Sequence, residues 1–126
     1  MDSVVHFEIP AEDAKRAQSF YHHAFGWNVQ KFPGFEYYSI GTTESDQKGM
    51  PKSPGAINGG MGKKGGPLTN TVITIRVKEI DTALKKIVKL GGKTVQKKQP
   101  VGEMGHTAYF QDTEGNVVGL WQDAGK

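Results

Sequence analysis

The sequence predicts an α+β fold: two βαβββ modules whose strands form a curved mixed sheet around a cup. Three observations lead to it. Val5, Phe7 and Ile9 alternate with His6 and Glu8, the period-two pattern of a strand with one apolar and one polar face. Past Pro10 the spacing changes, and Ala17, Phe20, Tyr21, Ala24 and Phe25 form the stripe of an amphipathic helix. The same order of strand, capped helix and glycine stop then returns about 66 residues later. A strand covered on its apolar side by its own helix leaves the side bearing His6 and Glu8 to line a cavity.

Each element follows from local signals. Asp13 is placed as the N-cap of the first helix, because its carboxylate can accept from free backbone N–H groups, and Gly26 as its left-handed stop. Val29 to Ile40 reads as a hairpin turning at Pro33 and Gly34. Gly41 to Pro54 is polar and broken by glycine and proline, which predicts an exposed, mobile loop before a short strand at about Ala56 to Met61. Gly62 to Pro67 (GKKGGP) marks the best internal boundary, giving modules 1–61 and 71–123 joined by 62–70 within one domain of 126 residues. Thr71 to Val77 alternates again. Asp81 is expected to cap a second helix with the stripe Ile80, Ala83, Leu84, Ile87 and Leu90, stopped by Gly91 and Gly92. Strands at Lys93–Lys97, Gly105–Gln111 and Val117–Gln122, with a DTEG turn at Asp112–Gly115, complete the second module.

Composition excludes several classes. Without cysteine there is no disulfide framework, thiolate metal site or cysteine nucleophile. No apolar run of about 18 residues and no basic leader followed by an apolar run is seen, so no membrane partner is expected and the expected location is the cytoplasm. The net charge of +3 comes largely from lysines that are not interleaved with aromatic residues. They read as a solvated face, and no nucleic-acid partner is expected. The glycine clusters lack the strand and helix context of a phosphate loop, and no serine sits in a nucleophile elbow.

The opening VVHFEIPAEDAKRAQSFYHHAFGW, the closing AYFQDTEGNVVGLWQ and the repeated βαβββ plan resemble the vicinal oxygen chelate superfamily. That superfamily includes glyoxalase I, bleomycin resistance proteins and extradiol dioxygenases. The likeness is greatest to small two-module glyoxalase-like members and covers essentially the whole chain. It implies a small-molecule ligand, a homodimer and, in metal-dependent relatives, four ligands for a divalent metal on the first, fourth, fifth and eighth strands. Carried over, His6 matches the first ligand. The fourth-strand position falls among Asn58, Gly59 and Gly60, the fifth on Val72 and the eighth on Gly119. A conventional metal centre is therefore not expected and no cofactor is assigned; a divalent metal on a shifted set of His6, Glu8 and His106 is the alternative.

His6 and Glu8 share the cup-facing side of the first strand, about 7 Å apart along it, and are the candidate acid–base pair. His6 is suited to proton transfer by its ordinary pKa near 6.5, or is a hydrogen-bonded structural residue. Arg76 is either an anchor for an anionic substrate or the ion partner of Glu8. Strand parity places Thr74, Tyr109 and Trp121 with Arg76 as candidate binding residues, and Asn58 joins them from the fourth strand. His22 and His23 read as surface residues. Two functions are open. One is a lyase or isomerase that moves a proton on a substrate with neighbouring oxygens. The other is a non-catalytic protein that sequesters a small polar or aromatic molecule, as the resemblance to bleomycin resistance proteins implies. A metal-dependent lactoylglutathione lyase or dioxygenase is a third reading.

Overall fold

The computed structural model describes residues 1–125. Among them lie eight strands and two helices: β1 (Val4–Ala11), α1 (Ala14–Phe25), β2 (Asn28–Lys31), β3 (Tyr37–Gly41), β4 (Gly59–Lys63), β5 (Val72–Arg76), α2 (Ile80–Lys89), β6 (Lys93–Val101), β7 (Gly105–Gln111) and β8 (Val117–Asp123). The class is α+β, as expected. The chain divides into two compact units, His6–Thr71 and Met1–Val5 with the chain from Val72 onward. No helix among the described residues is long and apolar enough to cross a membrane.

In the unit His6–Thr71 the strand order is β2-β3-β4-β1, with β1 and β4 parallel and the other pairs antiparallel. Val29, Ile40 and Met61 form its core. Phe7, Ile9 and Ala11 of β1 and Ala14, Ala17 and Tyr21 of α1 pack against it. Ile40 and Met61 are each 1% exposed, so each contributes roughly 1.5–3 kcal/mol by burial. The alternation read from the sequence thus assigns the faces of β1 correctly. Asp13 caps α1 by accepting from the Arg16 N–H, and Gly26 ends it at φ 75°, a left-handed conformation glycine adopts without strain. Beyond it the Trp27 indole stacks on Tyr21 at 5.1 Å and 10° between planes.

One boundary in this unit differs from expectation. The fourth strand begins at Gly59 rather than near Ala56, because Ile57 and Asn58 are taken by the preceding loop: Thr42 donates its hydroxyl to the Ile57 carbonyl at 2.6 Å and its N–H to the Asn58 side chain at 2.9 Å. The loop also carries hydrogen bonds of its own. Ser45 bridges Pro51, and Asp46 accepts from the N–H groups of Lys48 and Met50.

The second unit has the order β5-β8-β7-β6, with β5 and β8 parallel. Ile80, Leu84, Ala108 and Leu120 form its core under α2. Asp81 is not the cap of α2. Glu79 is, with an extended backbone and a carboxylate that accepts from the N–H groups of Asp81 and Thr82. Leu90 is the C-cap and lies exposed, off the buried stripe. β6 runs past Lys97 to Val101 because two register shifts against β7 accommodate the extra residues, and Pro100 is tolerated at the end of the strand order.

The repeat holds in strand order, since β6-β7-β8-β5 reads as β2-β3-β4-β1 does. It also extends to register. In one unit Glu8 and Ser39 flank Gly60; in the other Thr74 and Tyr109 flank Gly119. Each unit therefore sets a glycine on its fourth strand beside a polar residue of its first.

Candidate functional site

The face of the first unit turned away from α1 carries a set of three hydrogen-bonded side chains. Tyr37 donates its hydroxyl to Glu8 Oε2 at 3.0 Å, and the phenol oxygen lies 3.1 Å from His6 Nε2. β1 supplies two members by period-two alternation, and β3 supplies the third because its neighbour Tyr38 packs into the core and turns Tyr37 the other way. Glu8 is 8% exposed, a buried carboxylate held by hydrogen bonding. Room for the phenol comes from Gly60. A Cβ there would overlap the Tyr37 hydroxyl and ring.

The proton inventory is short. A phenol has one hydrogen to donate, and it is directed at the Glu8 carboxylate. The role of His6 Nε2 in its contact with the Tyr37 oxygen is set by the tautomer of the ring. Burial lowers the pKa of His6 below 6.5, an effect that the negative charge of Glu8 partly offsets. A neutral imidazole at neutral pH is a competent proton acceptor.

The structure brings His6 and Glu8 together and adds Tyr37, which the sequence places only within the hairpin Val29 to Ile40. A signal for it existed. The glycine run Gly59–Gly60 inside a strand marks a close approach by another group, and Tyr37 and Tyr38 cannot both face the core. Asn58 is engaged elsewhere. Its amide donates to Ser45 Oγ at 2.8 Å and the Gly49 carbonyl at 3.2 Å while accepting from Thr42, pinning the loop. A cleft of about 190 Å³, bordered by Ala11, Glu12, Tyr38, Met61 and Lys63, lies on the α1 side of this unit. That is below the roughly 300–1,000 Å³ of organic ligand sites.

In the second unit, register and parity put Thr74, Arg76, Thr107, Tyr109 and Trp121 on the face opposite α2. Thr74 and Tyr109 are buried. Arg76 lies 3.9 Å from Asp123, and the Trp121 indole donates to the same carboxylate at 2.8 Å. His106 does not belong to this face. It pairs in register with Gln122, whose side chain accepts from the first N–H of α2, so His106 sits on the helix side with Ala108. This corrects its proposed place in a shifted metal site. His22 and His23 are exposed and bonded to nearby backbone carbonyls.

Residues 3–41, which hold His6, Glu8 and Tyr37, match the family described as "Bleomycin resistance protein-like N-terminal". A "Glyoxylase-like domain-containing protein" of Didymella fabae is 29% identical over 124 residues, covering 94% of this chain and 92% of that protein. Among solved structures, a glyoxalase/bleomycin resistance protein/dioxygenase superfamily member from Vibrio splendidus 12B01 superposes with a TM-score of 0.60 at 16% identity, over 98% of this chain and 99% of its own. The fold is that of the glyoxalase/bleomycin resistance protein/dioxygenase superfamily. A methylmalonyl-CoA epimerase from Mycobacterium tuberculosis shares the superfamily's fold with this chain, at a TM-score of 0.62 and 12% identity, over 97% of this chain and 88% of its own.

The superfamily's metal pattern does not fit the residues present. Of its four positions only His6 offers a donor, because Asn58 lies ahead of β4 with its amide engaged in the loop and the strand itself supplies Gly59 and Gly60. At Gly60 a side chain would strike Tyr37, and at Gly119 it would meet Thr74 Oγ1 at 2.8 Å. Val72 is apolar and buried. Among the described residues no three His, Cys, Asp or Glu side chains are grouped to hold a metal ion.

Proposed function

We propose that this protein catalyses a lyase- or isomerase-type proton shift on a small molecule whose acidic C–H adjoins a carbonyl, with His6 as the base and Glu8 as the charge that supports it. The observation that carries this reading is the hydrogen-bonded run Glu8–Tyr37–His6. In the proposed step the substrate C–H bond breaks, its proton bonds to His6 Nδ1, and the electron pair moves onto the carbonyl oxygen as an enolate. The His6 imidazolium that forms keeps its Nε2–H on Tyr37, and the Glu8 carboxylate beyond it balances the charge. Return of the proton to carbon completes the shift with no atom gained or lost. Thr74, Arg76, Tyr109 and Trp121 are proposed as substrate contacts, with Arg76 selecting an anionic group. The fold neighbour named methylmalonyl-CoA epimerase makes acyl thioesters a reasonable first substrate panel.

The test is deuterium incorporation. Acyl thioesters and 2-hydroxy ketones are incubated with the protein in heavy water and read by mass spectrometry. Wild type is expected to exchange the acidic proton, and His6→Ala to lose on the order of 100-fold or more in rate. Full exchange by His6→Ala would remove His6 as the base.

The second reading is a non-catalytic binding protein. It is favoured by glycine at two of the four metal positions and by the match of residues 3–41 to a bleomycin-resistance-like family. Ligand binding without exchange, unaffected by His6→Ala, would establish it. We also propose a homodimer, supported by Phe20 and Phe25 standing 61% and 63% exposed on α1; light scattering showing only monomer would refute it.

A further inference from the structure

We propose that Tyr37 is the positioning residue of the site: its hydroxyl, admitted by the missing side chain at Gly60, locks His6 in the Nε2–H tautomer and thereby fixes Nδ1 as the proton acceptor. The inference deepens the proton-transfer reading and rests on it only for the catalytic consequence. Two independent observations carry it. The first is geometric: one phenol oxygen lies within hydrogen-bond distance of both Glu8 and His6, and its single proton can serve only one of them. A carboxylate is an acceptor only, so the proton goes to Glu8, and His6 must then donate. An Nδ1–H tautomer would set the Nε2 lone pair against a phenol oxygen whose hydrogen is already committed.

The second observation is the notch. Gly60 is extended backbone that any residue can adopt, since its φ is not positive. Its requirement for glycine is therefore steric, and the group that fills the space is the Tyr37 phenol. The opposite register neighbours of Gly60 are Glu8 and Ser39, so the phenol reaches across β4 from β3 to a carboxylate on β1. Three strands thus converge on one oxygen atom, and the element that would otherwise block it is absent.

The experiment is nitrogen-15 NMR of histidine-labelled protein above the His6 titration, comparing wild type with Tyr37→Phe, which keeps the ring in the notch and removes only the hydroxyl. His6 in wild type is expected to give separate Nε2–H and bare Nδ1 signals with a slowly exchanging Nε2 proton. In Tyr37→Phe the two nitrogen shifts are expected to move toward each other and the proton signal to broaden. An Nδ1–H pattern in wild type, or identical His6 spectra in both proteins, would overturn the inference. Gly60→Ala, with Tyr37 intact but displaced, is expected to reproduce the Tyr37→Phe spectrum, and a wild-type spectrum there would also count against it. These readouts need no substrate. A wild-type spectrum without the lock, with His6-dependent deuterium exchange retained, would sink this inference alone, and the converse would sink the proton-transfer reading alone.

Discussion

Adding one methyl group at Gly60 is a sharp test of how this site is built. In Gly60→Ala the new Cβ would overlap the hydroxyl and adjacent ring carbons of Tyr37. The ring is rigid, so relief requires swinging the whole side chain away. That breaks the 3.0 Å bond to Glu8, a carboxylate only 8% exposed, and the 3.1 Å contact with His6. Losing a hydrogen bond to a charged group costs about 1.5–3 kcal/mol and overpacking about 1–3 kcal/mol, against roughly 0.5–1 kcal/mol regained by replacing glycine within a strand. The first two prevail, leaving a net destabilisation of roughly 2–4 kcal/mol. Urea unfolding reads it directly, with Tyr37→Ala and the double variant closing a cycle. With the ring gone, Gly60→Ala should cost little, a coupling of at least about 1.5 kcal/mol. Equal stability of Gly60→Ala and wild type, or zero coupling, would refute the reasoning.

Three further outcomes follow from the same geometry. The pKa of His6 is held below 6.5 by burial. Between that lowered value and 6.5 the unfolded chain binds the extra proton, so stability rises with pH across the window, by at most about 1.4 kcal/mol per pH unit, and is flat above it. Urea midpoints from pH 4.5 to 8 should show this slope in wild type and lose it in His6→Gln. Asn58→Ala should release the loop it pins, costing about 1–2 kcal/mol at most and speeding hydrogen exchange across 42–50; unchanged exchange there would show the loop is held by other contacts. Asp112, whose pKa is lowered by the Asn116 side chain and by the backbone N–H groups of Asn116 and Glu114, should give stability that is present above about its ordinary value of 3.8 and fades below it. Acid melting of Asp112→Asn should lack that component.

The sequence carried most of the fold because each module repeats one grammar. Alternation gave the inner face of β1, Asp13 and Gly26 bracketed α1, and the DTEG turn set the start of β8. What it misread were places where a side chain overrode a pattern. Glu79 took the cap expected of Asp81, and Thr42 drew Ile57 and Asn58 out of the ladder and shortened β4. The site was half legible. His6 and Glu8 follow from parity alone, but Tyr37 lies about 30 residues away in sequence. Its role depends on a glycine on yet another strand. His106 failed for the opposite reason: a histidine near the right strand end is no guide to face, and register against Gln122 decides it.

The most direct test of the claim that His6 moves protons and does not bind a metal is calorimetric titration of tag-free protein with Ni, Zn, Mn and Fe(II), in wild type and His6→Ala. The residues at the four superfamily positions lead to the expectation of no stoichiometric binding that depends on His6. One equivalent of metal bound by wild type and lost in His6→Ala would contradict it and make His6 a ligand.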